Sequence, residues 1–310
     1  VCADESDDKD EVQQFYQNLY ESDGFHDPSE LLAHVPSKIS DTMNMELTKP
    51  YTAEEVKTAL FQMAPSKAPG VDGFTAGFYQ RHWDLLGGEV TNAVLDFLNG
   101  GELGPGLNDT SITLIPKVKH PQSISQYRPI ALCSVLYKIA SKAITNRLRC
   151  FMDEIISEEQ SAFVPSWLIT DNVLVAYECV HAIWKRKRKN PFCAVKLDMM
   201  KAYDRVEWKF LQEIMLKLGF NRRWVQLVMN YVTTVKYQIK VNGDITKIII
   251  PERGLRQGDP LSPYLFLLSA EGFSAMLQNA EMNGKLKGIK LCNTSPSISH
   301  LIFAVIHFFS

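Results

Sequence analysis

The sequence predicts an α+β fold, on three observations. Apolar residues recur at helical spacing through several long stretches, short apolar or alternating runs between them read as strands, and Asn242-Gly243 joins two such runs as a hairpin turn. With 310 residues, the chain can bury a large core and divide into lobes.

In chain order, Asp4 to Glu11 is an acidic run, and Val12, Phe15 and Leu19 then space one short amphipathic helix, read as an appendage. Thr52 with Glu55 forms a capping box for a helix whose buried stripe is Val56, Leu60 and Met63. The loop Ser66 to Gly73 is too rich in proline and glycine for regular structure, and helical spacing resumes from Phe74 to Leu98. Ile112 to Ile115 and Tyr127 to Ile130 read as two strands about a polar loop. From Leu132 to Ile156 a helical pattern carries Lys138, Lys142, Arg147 and Arg149 as a basic surface.

After the basic run Lys185 to Lys189, Phe192 to Met200 reads as a strand with Val195, Leu197 and Met199 on one face and Lys196 and Asp198 on the other. Asp204, with Glu207 three residues on, is expected to cap a helix that stops at Gly219. Val235 to Val241 and Ile245 to Ile250 flank the hairpin turn, a polar loop runs from Gly254 to Pro263, and Tyr264 to Leu277 is helical. Ile298 to Phe309 reads as a buried strand or tight hairpin.

Composition excludes little: 45% apolar, 22% charged and a formal charge of −2 describe an ordinary globular chain, so nucleic-acid binding would rest on local basic patches. The six cysteines are scattered without a C-x-x-C pair, which points to a reducing, intracellular setting, nucleus or cytoplasm. No apolar stretch reaches the roughly 18 residues of a membrane span, so no membrane partner is expected. Both ends, Val1 and Ser310, read as cuts.

Several residues could carry chemistry, and each has a plainer reading. Asp198, on an otherwise apolar strand, either pairs with a base or holds a metal. Tyr203 either faces the ligand of Asp198 or packs as a core aromatic. Gln257-Gly258 allows close backbone approach, or simply turns the chain into a helix. Lys117 and Arg128 can fold two cations onto a polyphosphate, or line a solvated hairpin.

Their order narrows the choice. Lys67 to Gly73, Lys117 with Arg128, Gln160 to Phe163, Leu197-Asp198 with Ala202 to Asp204, and Gly254 to Pro263 together resemble the reverse-transcriptase domain of plant LINE-type (non-LTR) retrotransposons, from about residue 10 to the end. Group II intron maturases share the palm motifs, but the wording around Lys67 to Gln80 and Leu168 to Glu178 sets the chain apart from them. The resemblance implies a right-hand polymerase fold. It divides the chain into an extension (1–50), fingers with part of the palm (51–191) and a truncated palm (192–310), without a thumb.

It also implies an RNA-directed DNA polymerase acting on an RNA template, a DNA primer and deoxynucleoside triphosphates, with Mg2+ as cofactor. By resemblance Asp198 binds the metal, Tyr203 is the steric gate against ribose, Lys117 and Arg128 close over the triphosphate, and Gln257 and Gly258 lie beneath the nascent pair. Asp204 and Asp259 are acids the family already carries.

Two departures stand out. The family's Phe-Ala-Asp-Asp turn is here Phe303-Ala304-Val305-Ile306, which lacks both acids. Losing them is expected to slow polymerisation by about a thousandfold or more. The alternative is a non-catalytic remnant that binds RNA or an RNA/DNA hybrid. Deleting one base from codons for Asp-Asp-Ser yields Val305-Ile306-His307, so a frameshift is the expected origin and a misplaced splice junction its competitor; the genomic DNA decides. Ser166-Trp167 replaces the usual glycine and arginine, consistent with a decaying copy.

Overall fold

The computed structural model describes residues 5–24, 27–101, 104–160, 169–185, 193–292 and 294–302. The described part of the first third is helical: α1 (Glu5–Tyr20), α2 (Ser29–Leu32), α3 (Asp41–Thr48), α4 (Ala53–Phe61), α5 (Ala76–Arg81) and α6 (Trp83–Leu98). Then come β1 (Asp109–Pro116), β2 (Tyr127–Leu132), α7 (Val135–Arg149), α8 (Met152–Ile155) and α9 (Ile169–Lys185). A 3-10 turn at Tyr203–Arg205 leads to α10 (Trp208–Leu218), α11 (Arg222–Thr233), β3 (Lys236–Val241), β4 (Asp244–Ile245) and α12 (Ser262–Met282).

The strands form one sheet in the order β2-β1-β3-β4. β1 runs antiparallel to β2, pairing Ile115 with Arg128, and parallel to β3, pairing Ile112 with Ile239. Asn242 (φ 50°) and Gly243 (φ 98°) both adopt the left-handed backbone that a two-residue hairpin requires. The second arm is shorter than the sequence implies: β4 ends at Ile245, beyond which Thr246 N donates to Ile239 O at 3.0 Å and Tyr237 and Ile249 exchange hydrogen bonds of 2.9 and 2.8 Å.

Two apolar clusters hold the fold. The larger joins α3, α4, α6, α7, α10, α11 and α12 around Leu60, Ile139, Ile144, Ile214 and Val228. The smaller packs α1 on the sheet through Tyr16, Tyr20, Ile112, Tyr237 and Ile239, so this helix is built into the core and is not an appendage. Sealing Ile112 and Ile239 from water contributes about 1.5–3 kcal/mol for each side chain.

Local signals read from sequence hold where their partners are local. Thr52 and Glu55 make the reciprocal capping box of α4, and Gly219 ends α10 in the left-handed conformation at φ 101°. The helical stretch after Phe74 divides at His82. In the Lys67–Gly73 loop, a Cβ on Gly70 would meet the backbone nitrogen of Ser134 at 2.5 Å. Glycine there lets the loop lie against the junction of β2 and α7.

Three expectations are corrected. Residues 193–199 form no strand: Val195, Leu197, Asp198 and Met199 are all exposed. A strand is stable only when its amides find a ladder partner, and among the described residues none of the four strands adjoins this segment. Asp204 does not cap the following helix, which starts at Trp208 with Glu207 at its cap position. Glu207 instead accepts from Ser22 Oγ at 2.8 Å and from Arg253 Nη1 at 3.2 Å. Arg147 belongs to no basic surface; it is buried against Glu55 and the carbonyls of Lys49 and Pro50.

At the end of the chain, Ile298 pairs with Ile289, and Ile302 pairs with Gln160. Residues 303–309, Ser161 to Phe163, Ser166-Trp167 and Arg186 to Lys189 lie outside the described residues. Among the described residues no helix is long and apolar enough to cross a membrane.

Candidate nucleotide and template site

The loop between β4 and α12 organises the site, and its backbone is laced to the turn after residue 200. Gly254 N donates to Val206 O at 2.8 Å, Leu255 N donates to Tyr203 O at 2.8 Å, and Trp208 Nε1 donates to Gly254 O at 2.8 Å. Gly254 has φ +98°, and a Cβ there would stand 2.9 Å from Asp204 O, so only glycine permits this approach.

Beyond it Leu255, Arg256 and Asp259 are buried, and Gln257 and Gly258 stand nearer the surface. Arg256 turns inward to Asn108 and Tyr231. The carbonyl of Gln257 accepts from Ala131 N at 2.9 Å, which pins the loop to β2. Gly258 is exposed, with φ +104°. A Cβ there would sit 3.4 Å from Ala131 O, a tolerable contact, so backbone conformation demands glycine more than crowding does. Asp259 is buried and accepts from Tyr137 Oη at 3.2 Å, Ser262 Oγ at 3.3 Å and Ser141 Oγ, which makes it an anchor of the loop.

Tyr203 stacks on Phe266 with ring centroids 4.8 Å apart and planes inclined by 11°. Its hydroxyl is buried without a hydrogen-bond partner among the described residues, and burial pushes its pKa up. An unpaired buried hydroxyl is costly in a ligand-free fold. Lys117 is exposed at the end of β1, its Nζ 3.2 Å from Ser125 O. Arg128 pairs with Ile115, and Lys117, two residues beyond Ile115, shares that face of the ladder. The two cations therefore stand together at the tip of the hairpin.

Behind Gln257 lies a group that sequence reading took for a helix cap. Asp204 is 1% exposed, and both of its carboxylate oxygens are 3.4 Å from Gln257 Nε2. Burial pushes its carboxyl up to about 6, against the opposing charge of Lys201, the Gln257 hydrogen bond and the charge of Lys117. Lys201 sits in left-handed backbone at φ 58°. Its ammonium is shielded without a hydrogen-bond partner among the described residues and lies 5.7 Å from the ring centres of both Phe15 and Tyr16. Burial, with the charge of Lys117 behind it, pushes the Lys201 pKa down, against the pull of Asp204.

The structure thus sets Gln257 against Asp204, within reach of the charges of Lys201 and Lys117, while the Tyr203 ring stacks on Phe266 and Arg128 shares the hairpin face of Lys117. It leaves Asp198 on the exposed segment 193–199. Among the described residues no three His, Cys, Asp or Glu side chains come together as a metal-ion cluster. A divalent ion needs several oxygen ligands, and at 305–306 the sequence offers only valine and isoleucine. Among the described residues no ligand set for a two-metal centre is therefore assembled.

Comparison with known proteins bears on what this site is. Residues 115–304, more than half of the 310-residue chain, match the family described as reverse transcriptase (RNA-dependent DNA polymerase). The chain belongs to the reverse transcriptase family. This reverse transcriptase domain is 32% identical over 271 residues to the transposon TX1 uncharacterized 149 kDa protein of Xenopus laevis, covering 87% of this chain and 21% of that protein. It is 28% identical over 219 residues to the retrovirus-related Pol polyprotein from type-1 retrotransposable element R2 of Popillia japonica, covering 70% of this chain and 29% of that one. With such relatives it is a domain of the non-LTR retrotransposon kind, and its α+β architecture is consistent with part of a polymerase fold. The uncharacterized mitochondrial protein AtMg01250 of Arabidopsis thaliana is 52% identical over 64 residues, 21% of this chain and 52% of that one. The domain therefore spans between about a fifth and a half of these relatives.

The buried carboxyl makes the stability of the reverse transcriptase domain depend on pH. An unfolded aspartate titrates near 4, and Asp204 in the fold titrates at about 6. Between those values the folded state holds a proton that the unfolded state releases, so this group's contribution to stability rises as pH falls through 6 and levels off below 4. At neutral pH the charged form costs roughly 2–3 kcal/mol. Asp204→Asn is therefore expected to raise the melting temperature at pH 7.5 by roughly 5 °C. The gain should vanish by about pH 4. Thermal denaturation followed by circular dichroism at the two pH values checks this; equal gains at both would refute it.

Proposed function

We propose that this chain is the fingers with part of the palm (51–191) and the truncated palm (192–310) of a plant LINE-type reverse transcriptase that keeps its template and nucleotide contacts but has lost the polymerase step. The observation that supports the reading most is the loop at 254–261, whose backbone is tied to Tyr203 through Leu255 and to β2, the strand of Arg128, through Gln257. In this reading Gln257 and Gly258 support the nascent base pair and Tyr203 fills the space of a ribose 2′-hydroxyl, which selects deoxynucleotides. Lys117 and Arg128 neutralise the triphosphate. The 52% identity with the Arabidopsis protein supports the plant assignment.

The loss of chemistry rests on Val305-Ile306 standing where the family carries paired aspartates. The family works with divalent metal ions, but Asp198 alone does not make up their ligand set, and no step through a metal pair is assigned to this chain. Binding of an RNA template and a DNA primer would run through phosphate contacts indifferent to sequence, as copying requires.

The test pairs two assays on the whole chain. Fluorescence titration with an RNA/DNA hybrid should show binding that weakens steeply with salt. Primer extension with Mg2+ and deoxynucleotides should fall below about a thousandth of the activity of an intact relative. Template-directed incorporation that disappears in Asp198→Asn would overturn the loss of activity, and absence of hybrid binding at low salt would overturn the retained contacts.

A further inference from the structure

We infer that Asp204 is a positioning residue for template contact: its carboxylate holds the Gln257 amide nitrogen inward and so turns the Gln257 Oε1 oxygen toward the open side of the loop. This rests on the proposed function, which places Gln257 under the nascent pair, and adds the group that orients it.

The argument begins with hydrogen-bond chemistry. An ionised carboxylate only accepts, whereas a glutamine amide donates at one end and accepts at the other. With both oxygens of Asp204 at 3.4 Å from the Gln257 side chain, the end facing Asp204 must be the nitrogen, which sends Oε1 the other way. The Gln257 backbone cannot turn to undo this, because its carbonyl is held by Ala131 N at 2.9 Å and the preceding residues are laced to Tyr203 and Val206. Gln257 is only half-buried and its neighbour Gly258 is exposed, so the free end of the amide is within reach of a ligand.

Stability does not explain an acid at this position. Asparagine is nearly isosteric, could also accept from Gln257, and would avoid burying a charge at 1% exposure. Asparagine differs in one respect that matters here: its own amide can present either end, so it would leave Gln257 free to flip. Only a carboxylate imposes one orientation. Lys201, in a left-handed backbone position and with no hydrogen-bond partner for its ammonium among the described residues, favours the charged form of Asp204 through its own charge. Buried groups that oppose stability yet order a contact are a mark of functional sites.

The test is a double-mutant cycle on the whole chain with Asp204→Asn, Gln257→Ala and both together. The probe is an RNA/DNA hybrid carrying 2-aminopurine at the templating position, titrated at pH 7.5 and fixed salt. Each single variant is expected to weaken binding about 5-fold and to reduce the 2-aminopurine response to a similar degree, and the double variant should be no worse than Gln257→Ala alone. Asp204→Asn is expected to fold at least as well as the parent, so lost binding in it does not report unfolding. Parental affinity in Asp204→Asn, or losses that multiply in the double variant, would overturn the inference while leaving the proposed function intact. If the parent chain binds no hybrid at all, both fall together.

Discussion

Arg256→Ala is expected to lower the stability of this domain by about 3–5 kcal/mol, enough to unfold much of the population at 37 °C. Arg256 is 5% exposed, and its guanidinium is the hub of the site's foundation. Nη1 donates to Asn108 Oδ1 at 2.5 Å, Nη2 donates to Tyr231 O at 2.7 Å, and the group lies 4.0 Å from the centre of the Tyr137 ring. Tyr231 Oη in turn donates to Tyr137 O, and Tyr137 Oη donates to Asp259. One side chain thus fastens the loop that carries Gln257 to the start of β1, to α7 and to the end of α11. Truncation leaves the buried Asn108 Oδ1 without its donor, leaves the Tyr231 carbonyl only the longer bond from Asn108 Nδ2 at 3.2 Å, and takes from Asp259 its nearby cation. Arg256→Lys should recover less than half of the loss, because an ammonium cannot span Asn108 and Tyr231 as the planar fork does. Urea denaturation measures both; a loss under about 1 kcal/mol for the alanine variant would show that the loop does not depend on this hub.

The second large effect concerns Arg147, which a helical plot places among surface cations. Arg147→Met is expected to cost about 3 kcal/mol and to leave the salt dependence of nucleic-acid binding unchanged. Its Nε and Nη2 grip Glu55 at 2.6 and 2.9 Å, Nη2 also donates to Pro50 O at 2.9 Å, and the group stands 3.6 Å from the centre of the Tyr51 ring. Glu55 is also the partner in the capping box of α4, so the ion pair and the helix start share one carboxylate. A phosphate-binding arginine would behave in the opposite way. Its loss would reduce the slope of log affinity against log salt by about 0.9 and spare the fold. Running urea denaturation and the salt titration on the same variant separates the two.

These two arginines illustrate what sequence reading reaches. The stretch Leu132 to Ile156 is legible as helical because helix formation depends on residues three and four apart, and the spacing is plain. Which face a given cation occupies is not, because α4 and the Lys49–Tyr51 segment, which enclose Arg147, come from about a hundred residues earlier. The site shows the same division. Motif order names Lys117, Arg128, Tyr203, Gln257 and Gly258 as a set only through the resemblance, and the cap expected at Asp204 fails because Asp-x-x-Glu before an apolar run is also the pattern of a helix start.

By itself the sequence determined what depends on near neighbours or on the order of motifs. That includes the capping box at Thr52, the stop at Gly219, the Asn242-Gly243 hairpin, membership of the reverse transcriptase family and the absence of acids at 305 and 306. Tertiary structure alone decided that Asp204 lies sealed beneath Gln257, that Arg147 and Arg256 are interior, and that the apolar segment 193–199 pairs with none of the sheet's strands. The reason is physical. Caps and turns are satisfied within a few residues, whereas burial and strand pairing are set by chain segments brought in from far along the sequence, whose approach leaves no mark on the residues they cover.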